Sequence, residues 1–220
     1  MNEHNDTKLN AAISTHKEAM AALRKNVDQW NEFEGMRASF HPDPVPPYIQ
    51  KWIDRAEYDV RQAFPRAYQT SYALAEAAEA AGLEDRKIAE TLQEATQDKV
   101  SYSVIQGVVK TLTGALGWPP ARIVAAIRNL QGMTPEGIAE VLGTEDGICR
   151  YNVVAVVTAL RDGLGLPTDA AIAAVSRGIR SVPNEAELAR IHKTPPQDLQ
   201  AIDPSLKGDP VINEDSYAAG

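Results

Sequence analysis

Two short stretches carry most of the side chains suited to recognising another molecule by hydrogen bonding. The first holds Lys99, Ser101, Tyr102, Ser103, Gln106 and Lys110; the second holds Arg150, Tyr151 and Asn152, with Arg161 further on. Guanidinium, ammonium, amide and hydroxyl groups at helical spacing are the groups that reach base edges and phosphates. Other chemistry has less behind it. His4, His16, His41 and His192 are far apart, and none pairs with an acid at metal-ligand spacing. There is no His-Glu-x-x-His, no phosphate-binding loop and no Gly-x-Ser-x-Gly. Cys149 is the single cysteine, which excludes an internal disulfide and a Cys-rich zinc site. It stands where a helix should begin, a place that can lower a thiol pKa, yet a structural or incidental cysteine is the simpler reading. Glu90 and Glu140 hold equivalent helix positions that a solvated face explains. Gly114, Gly117, Gly163 and Gly165 read as helix caps. The expectation is a protein without catalytic residues, cofactor or metal, and not an enzyme.

The elements that must position these groups are helices. Alanine occurs 33 times in 220 residues, in segments also rich in Glu, Leu, Arg and Gln. Val and Ile recur at helical spacing, and no Asn-Gly or Asp-Gly turn joins two alternating runs. The fold class expected is all-α, with a long N-terminal helix ahead of tandem three-helix units. In residues 5–36, Leu9, Ile13, His16, Met20, Leu23, Val27 and Trp30 recur in alternating steps of four and three. That is a coiled-coil seam. Two readings of it stay open: a helix docked on its own domain, or self-association through Leu9, Ile13, Met20, Leu23, Val27 and Trp30. His16, the one polar seam position, reads as a register-setting group. This helix is expected to end near Gly35. Four prolines between Pro42 and Pro47 then make an extended hinge, residues 41–47, that no helix crosses. A second helix is expected from Tyr48 to Phe64, with Pro65 opening the next.

Residues 48–194 read as a helical array with an internal repeat of about 50 residues. Ile88-Ala89-Glu90 recurs as Ile138-Ala139-Glu140, and weakly as Leu188-Ala189-Arg190. VVKTLTGALGWPPARIVAAI (108–127) parallels VVTALRDGLGLPTDAAIAAV (156–175). The expected units are 66–116, 119–164 and a partial 168–193. Gly82 and Gly132 should close helices, and Thr134-Pro135 should open one, with threonine as cap and proline at the first position.

Within each unit, Ile-Ala-Glu-x-Leu on one helix is followed by a helix with apolar residues at spacing three to four, such as Val104, Val108 and Leu112. TPEGIAEVLG (134–143) resembles the first half of many bacterial helix-turn-helix regulators, and VSYSVIQGVVKTL (100–112) resembles a recognition helix. The likeness is generic, covers about residues 66–164, and points to no specific family. The connection between the paired helices is longer than in the compact motif. The resemblance implies double-stranded DNA as partner, read by Lys99, Ser101, Tyr102, Ser103, Gln106, Lys110, Arg150, Tyr151 and Asn152.

Charge bears on that implication. Lys plus Arg is 22 against 30 Asp plus Glu, a net charge of −8, so a strongly basic coat is excluded. Residues 182–220 contribute half of the net charge, and 195–220 read as an acidic extended tail suited to a protein partner. Nine of the 13 aromatics lie between Trp30 and Tyr72, which suggests a compact junction or a partner surface. No apolar run approaches a membrane span and no secretory core is visible, so the expected compartment is cytoplasmic, or a virion. Two functions follow as expectations. One is an oligomeric DNA-binding transcriptional regulator with tandem helix-turn-helix modules. The other is a non-enzymatic assembly or adaptor protein, such as a phage component or a DNA-packaging small subunit.

Overall fold

The computed structural model describes residues 3–41, 43–96, 102–130, 133–143 and 151–196. Among them the protein is all-α, with no strand. The helices are α1 (Glu3–Ala38), α2 (Pro47–Ala80), α3 (Asp85–Thr96), α4 (Tyr102–Leu116), α5 (Pro120–Ile127), α6 (Pro135–Gly143), α7 (Val153–Leu164), α8 (Thr168–Gly178) and α9 (Glu185–Lys193). They divide into two compact units. One comprises Met1–Gly82 and Glu94–Asp98, the other Leu83–Gln93 and Lys99–Gly220.

The first unit is an antiparallel helical hairpin. The Asn5 side chain donates to the Ala80 carbonyl, His16 bonds Thr70, Asn26 donates to the Asp59 carbonyl, and Phe33 stacks on Trp52. In every one of these pairs the two residue numbers add to 85 or 86, so the arms keep one register along their length. The coiled-coil seam of α1 is therefore the face that lies along α2. Leu23 and His16 on it are buried, while Leu9, Ile13, Met20, Val27 and Trp30 are half-buried. On α2 the facing stripe is Ile49, Ile53, Ala56, Val60, Ala67, Ser71, Leu74 and Ala78.

Two expected breaks are absent. α1 continues past Gly35 to Ala38, because one glycine in a helix costs only about 1 kcal/mol. α2 continues through Pro65 as a single helix of 34 residues. Val60 and Ala67, one on each side of the proline, are both buried on the hairpin's inner face. Packing on α1 thus holds the two halves in line at the cost of a backbone hydrogen bond. The prolines do enforce the reversal: α2 starts with Pro47 at its first position, after Pro46 as cap.

In the second unit α7 is the central helix, packed against α5, α6, α8 and α9. Gly117 and Gly165, at matching places in the parallel sequence runs, end α4 and α7 with φ of 64° and 69°. Each is followed by a buried side chain, Trp118 or Leu166, and then by a proline that caps the next helix. Gly163 is not a cap: it lies inside α7, where an added Cβ would meet the Ala121 carbonyl and Val124 at 2.7 Å. Gly114 likewise lies within α4. The N-caps of α6, α7 and α9 are side-chain oxygens. Thr134 accepts from the Gly137 amide, Asn152 from Ala155, and Asn184 forms a capping box with Glu187. Ion pairs differ between the parallel runs. Asp85 at the start of α3 takes a bidentate Arg122 from the start of α5, whereas Glu136 at the start of α6 takes Arg177 from the end of α8.

Candidate nucleic-acid interface

The side chains expected to read DNA fall in different settings. On α4, Val104, Ile105, Val108, Val109 and Leu112 are buried. That leaves Ser103 exposed and Gln106 and Lys110 half-exposed on the opposite side, spaced by three and four. These three make one outward stripe about 10 Å long. Tyr102 begins the helix, but its side chain lies outside the described residues, as do Lys99, Ser101 and Arg150. Cys149, Gly132 and the acidic tail from 197 onward also lie outside them.

α7 is arranged differently. Not one of its positions from Val153 to Leu164 is exposed. Its sequence, VVAVVTALRDGL, gathers Thr158, Arg161 and Asp162 on one side and is apolar elsewhere. Arg161 is buried, its side chain 6% exposed, beside Asp162 at 4%. Its guanidinium donates to Asp162 at 2.7 Å and to the carbonyls of Thr194 and Pro195 at 2.8 and 3.1 Å. It locks the chain leaving α9 and has no reach to a ligand. Only the flank before α7 is accessible. Asn152 is exposed, but its side-chain oxygen caps the helix. Tyr151 is half-buried, and its hydroxyl is 3.1 Å from that of Thr113 near the end of α4. The structure thus brings Tyr151 to the C-terminal part of α4, one turn from Lys110.

Elsewhere, the groups weighed for chemistry are engaged or solitary. Burial raises the Glu90 carboxyl, but hydrogen bonds and charge from Arg86 and Lys87 outweigh it and hold the group below its ordinary value. Glu136 is lowered in the same manner, burial opposed by Arg177. Glu140, His4, His41 and His192 are exposed. Among the described residues no group of three or more His, Cys, Asp or Glu side chains is placed to hold a metal ion.

His16 is the exception among the histidines. It is 1% exposed, with Nδ1 2.9 Å from the Thr70 hydroxyl and Nε2 3.1 Å from the Thr96 hydroxyl. Burial lowers its pKa to about 4, so the ring is neutral. The Thr70 hydroxyl donates to the Ala67 carbonyl and must accept from Nδ1–H. Nε2 is then the acceptor, and Thr96 donates to it. Arg24 adds a bond to the Thr96 carbonyl at 2.9 Å, so α1 grips the end of α3 at two atoms.

The other surface feature is aromatic. Tyr48, Trp52, Tyr58 and Phe64 on α2 are 57%, 49%, 53% and 44% exposed. Trp52 contacts Phe33 with ring centres 6.0 Å apart and Tyr48 edge-on at 5.4 Å. The aromatic concentration in the sequence marked this region; which rings would be exposed depends on helix phase and on the partner arm. No helix among the described residues is long and apolar enough to cross a membrane. Compared with known protein families, curated proteins and solved structures, the chain matches none.

Proposed function

We propose that this protein is a non-enzymatic helical assembly or adaptor protein, of the kind found as a virion or scaffold component, with the N-terminal hairpin as its adhesive part. The observation that carries this reading is the contrast in exposure: α7 presents no exposed position, while α2 holds four large aromatic side chains in solvent. Exposed aromatic rings are the side chains most enriched at protein interfaces. The acidic charge of −8 favours protein partners over a polyanion.

A second reading, a DNA-binding transcriptional regulator, is favoured by one feature, the outward stripe of Ser103, Gln106 and Lys110 on α4. The two are separated by measuring the retention of randomised duplex DNA on the full chain at about 50 and 200 mM salt. The assembly reading expects no retention at either salt and no enriched sequence. Salt-dependent retention, lost on Lys110→Ala, would replace it with the regulator.

A further inference from the structure

Three helices enclose His16, and they hold it unequally. α1 and α2 keep one register on both sides of the ring, through Asn5 and Ala80 in one direction and Asn26 and Asp59 in the other. Exposing the ring between them means parting two helices tied above and below it. α3 reaches the ring with its last turn alone. The Thr96 hydroxyl sits on Nε2, Arg24 donates to the Thr96 carbonyl, and Ala95 beside it is buried. Helix ends are the parts of a fold that open at the lowest free energy, so this turn is the weakest wall of the enclosure.

A neutral imidazole suits this place and a cation does not. Both ring nitrogens are taken by hydroxyls, which carry no charge to offset one. The charged and titratable groups flanking the three residues are Lys17 and Glu18 on α1, Arg66, Tyr68 and Tyr72 on α2, and Glu94 on α3. Lys17, Glu18, Arg66 and Glu94 are exposed, and the two tyrosines are half-buried. Glu18 accepts from the Ser14 hydroxyl. The charge bonded into the cluster is that of Arg24, and it is positive. A proton on the ring therefore puts an unpaired charge in a buried place, close to a second charge of the same sign. Burial lowers the pKa to about 4 with no charged neighbour opposing it.

We infer that the last turn of α3 is an acid-released latch: protonation of His16 lifts Glu94–Thr96 off the hairpin and leaves α1 and α2 paired. The proton comes from solvent and binds as the turn leaves, because the buried ring meets water only once Thr96 has moved. Water then takes the place of the Thr96 hydroxyl on the imidazolium, and Arg24 is freed from the Thr96 carbonyl. The latch holds under either reading of the function. Its pH range follows from the ring titrating near 4 under the latch and near 6.5 in water. The closed form has its full advantage above about pH 6.5 and loses it as pH falls toward 4. Relative to pH 7.5, the ratio of open to closed should rise about tenfold by pH 5.5 and about thirtyfold by pH 5.

Amide hydrogen exchange of the full chain, followed by NMR from about pH 7.5 to 4.5 and corrected for the intrinsic pH dependence of exchange, tests this. The amides of Gln93–Thr96 should lose protection by about those factors. The α1 and α2 amides around Asn26 and Asp59 should still be protected at about pH 5, with the far-UV circular dichroism of the helices retained. His16→Gln and His16→Leu cannot ionise, and the leucine also continues the apolar seam of α1, so that a foldable variant does not depend on the glutamine. Each should show the same protection of Gln93–Thr96 at about pH 7.5 and pH 5. Constant protection of Gln93–Thr96 in the wild type overturns the inference. Loss of the α1 and α2 amides at the same pH also overturns it, because acid then melts the hairpin instead of releasing one turn. A fall that persists in both variants overturns it as well, and assigns the acid response to groups other than His16.

Discussion

Leu160 in α7 has no exposed surface, whereas Leu9 in α1 is half-buried, although both sit on the inward side of an amphipathic or apolar helix. The difference is one of enclosure. α7 has helices on all sides, so Val156, Val157 and Leu160 lose every contact with water. α1 has one long neighbour, and at mid-length its seam is completed by a neutral histidine hydrogen-bonded to two threonines. The C-terminal unit is held by dry close packing, the hairpin by length, register and one polar hub.

The largest effect should come from the buried Arg161–Asp162 ion pair of the second unit. Arg161→Ala leaves Asp162 buried without its guanidinium and frees the Thr194 and Pro195 carbonyls. A cost of about 3–5 kcal/mol is expected in urea unfolding. A cost under about 1 kcal/mol would mean that Asp162 reaches water and that the unit is less enclosed than described. Next, equal truncations should cost unequal amounts. Leu160→Ala is expected to lose about 2–5 kcal/mol through the cavity it leaves, and Leu9→Ala about 1 kcal/mol. Amide hydrogen exchange of α6–α7 and of α1–α2 reads the two separately. Equal losses would remove the contrast.

The hairpin should be the acid-sensitive unit. His16 titrates near 6.5 when unfolded and near 4 when folded, so the unfolded chain binds more protons between those values. The stability from keeping it neutral is fully present above about pH 6.5 and is lost as pH falls toward 4, up to about 3 kcal/mol. Urea midpoints of the α1–α2 signal at pH 7, 5.5 and 4 should fall accordingly. The slope should flatten in His16→Gln; an unchanged slope would assign it to other groups. The smallest effect is at the edge of the array. Asn184→Ala removes the capping box of α9 and should cost about 1 kcal/mol, confined to α9 exchange rates.

Much of this architecture was legible in the residues. The heptad fixed which side of α1 is inward, and Pro-rich spacing located the reversal. Gly82, Gly117, Gly165, Thr134 and Pro119 mark helix ends through local chemistry that no distant contact overrides, whereas Asn152, read as a DNA contact, is a helix cap. Periodicity shows which face is covered but not what covers it, so the seam left open whether α2 or another chain lies there. Gly35 and Pro65 were misleading because propensity is a local cost of a few kcal/mol at most, and a long packed stripe on either side outweighs it. The candidate site was the least legible. A helix-turn-helix resemblance rests on apolar spacing, which any small bundle shares, and it gave no sign that Arg161 would be buried against Asp162 and the chain leaving α9.

The constant register of the hairpin also sets an order of events. Phe33 and Trp52 are 19 residues apart, Asn26 and Asp59 are 33, His16 and Thr70 are 54, and Asn5 and Ala80 are 75. Each rung brought together beside the Pro-rich reversal shortens the loop that the next must close, because closure entropy depends on the chain still free between the ends. Assembly by zipping from the reversal toward the termini avoids the entropic barrier of joining positions 75 residues apart in one step. On the ribosome, α1 emerges first and waits for its complement, a matter of seconds at about 5–20 residues per second. During that interval its apolar stripe is bare, and the alternating charges of its other faces are what keep it in solution.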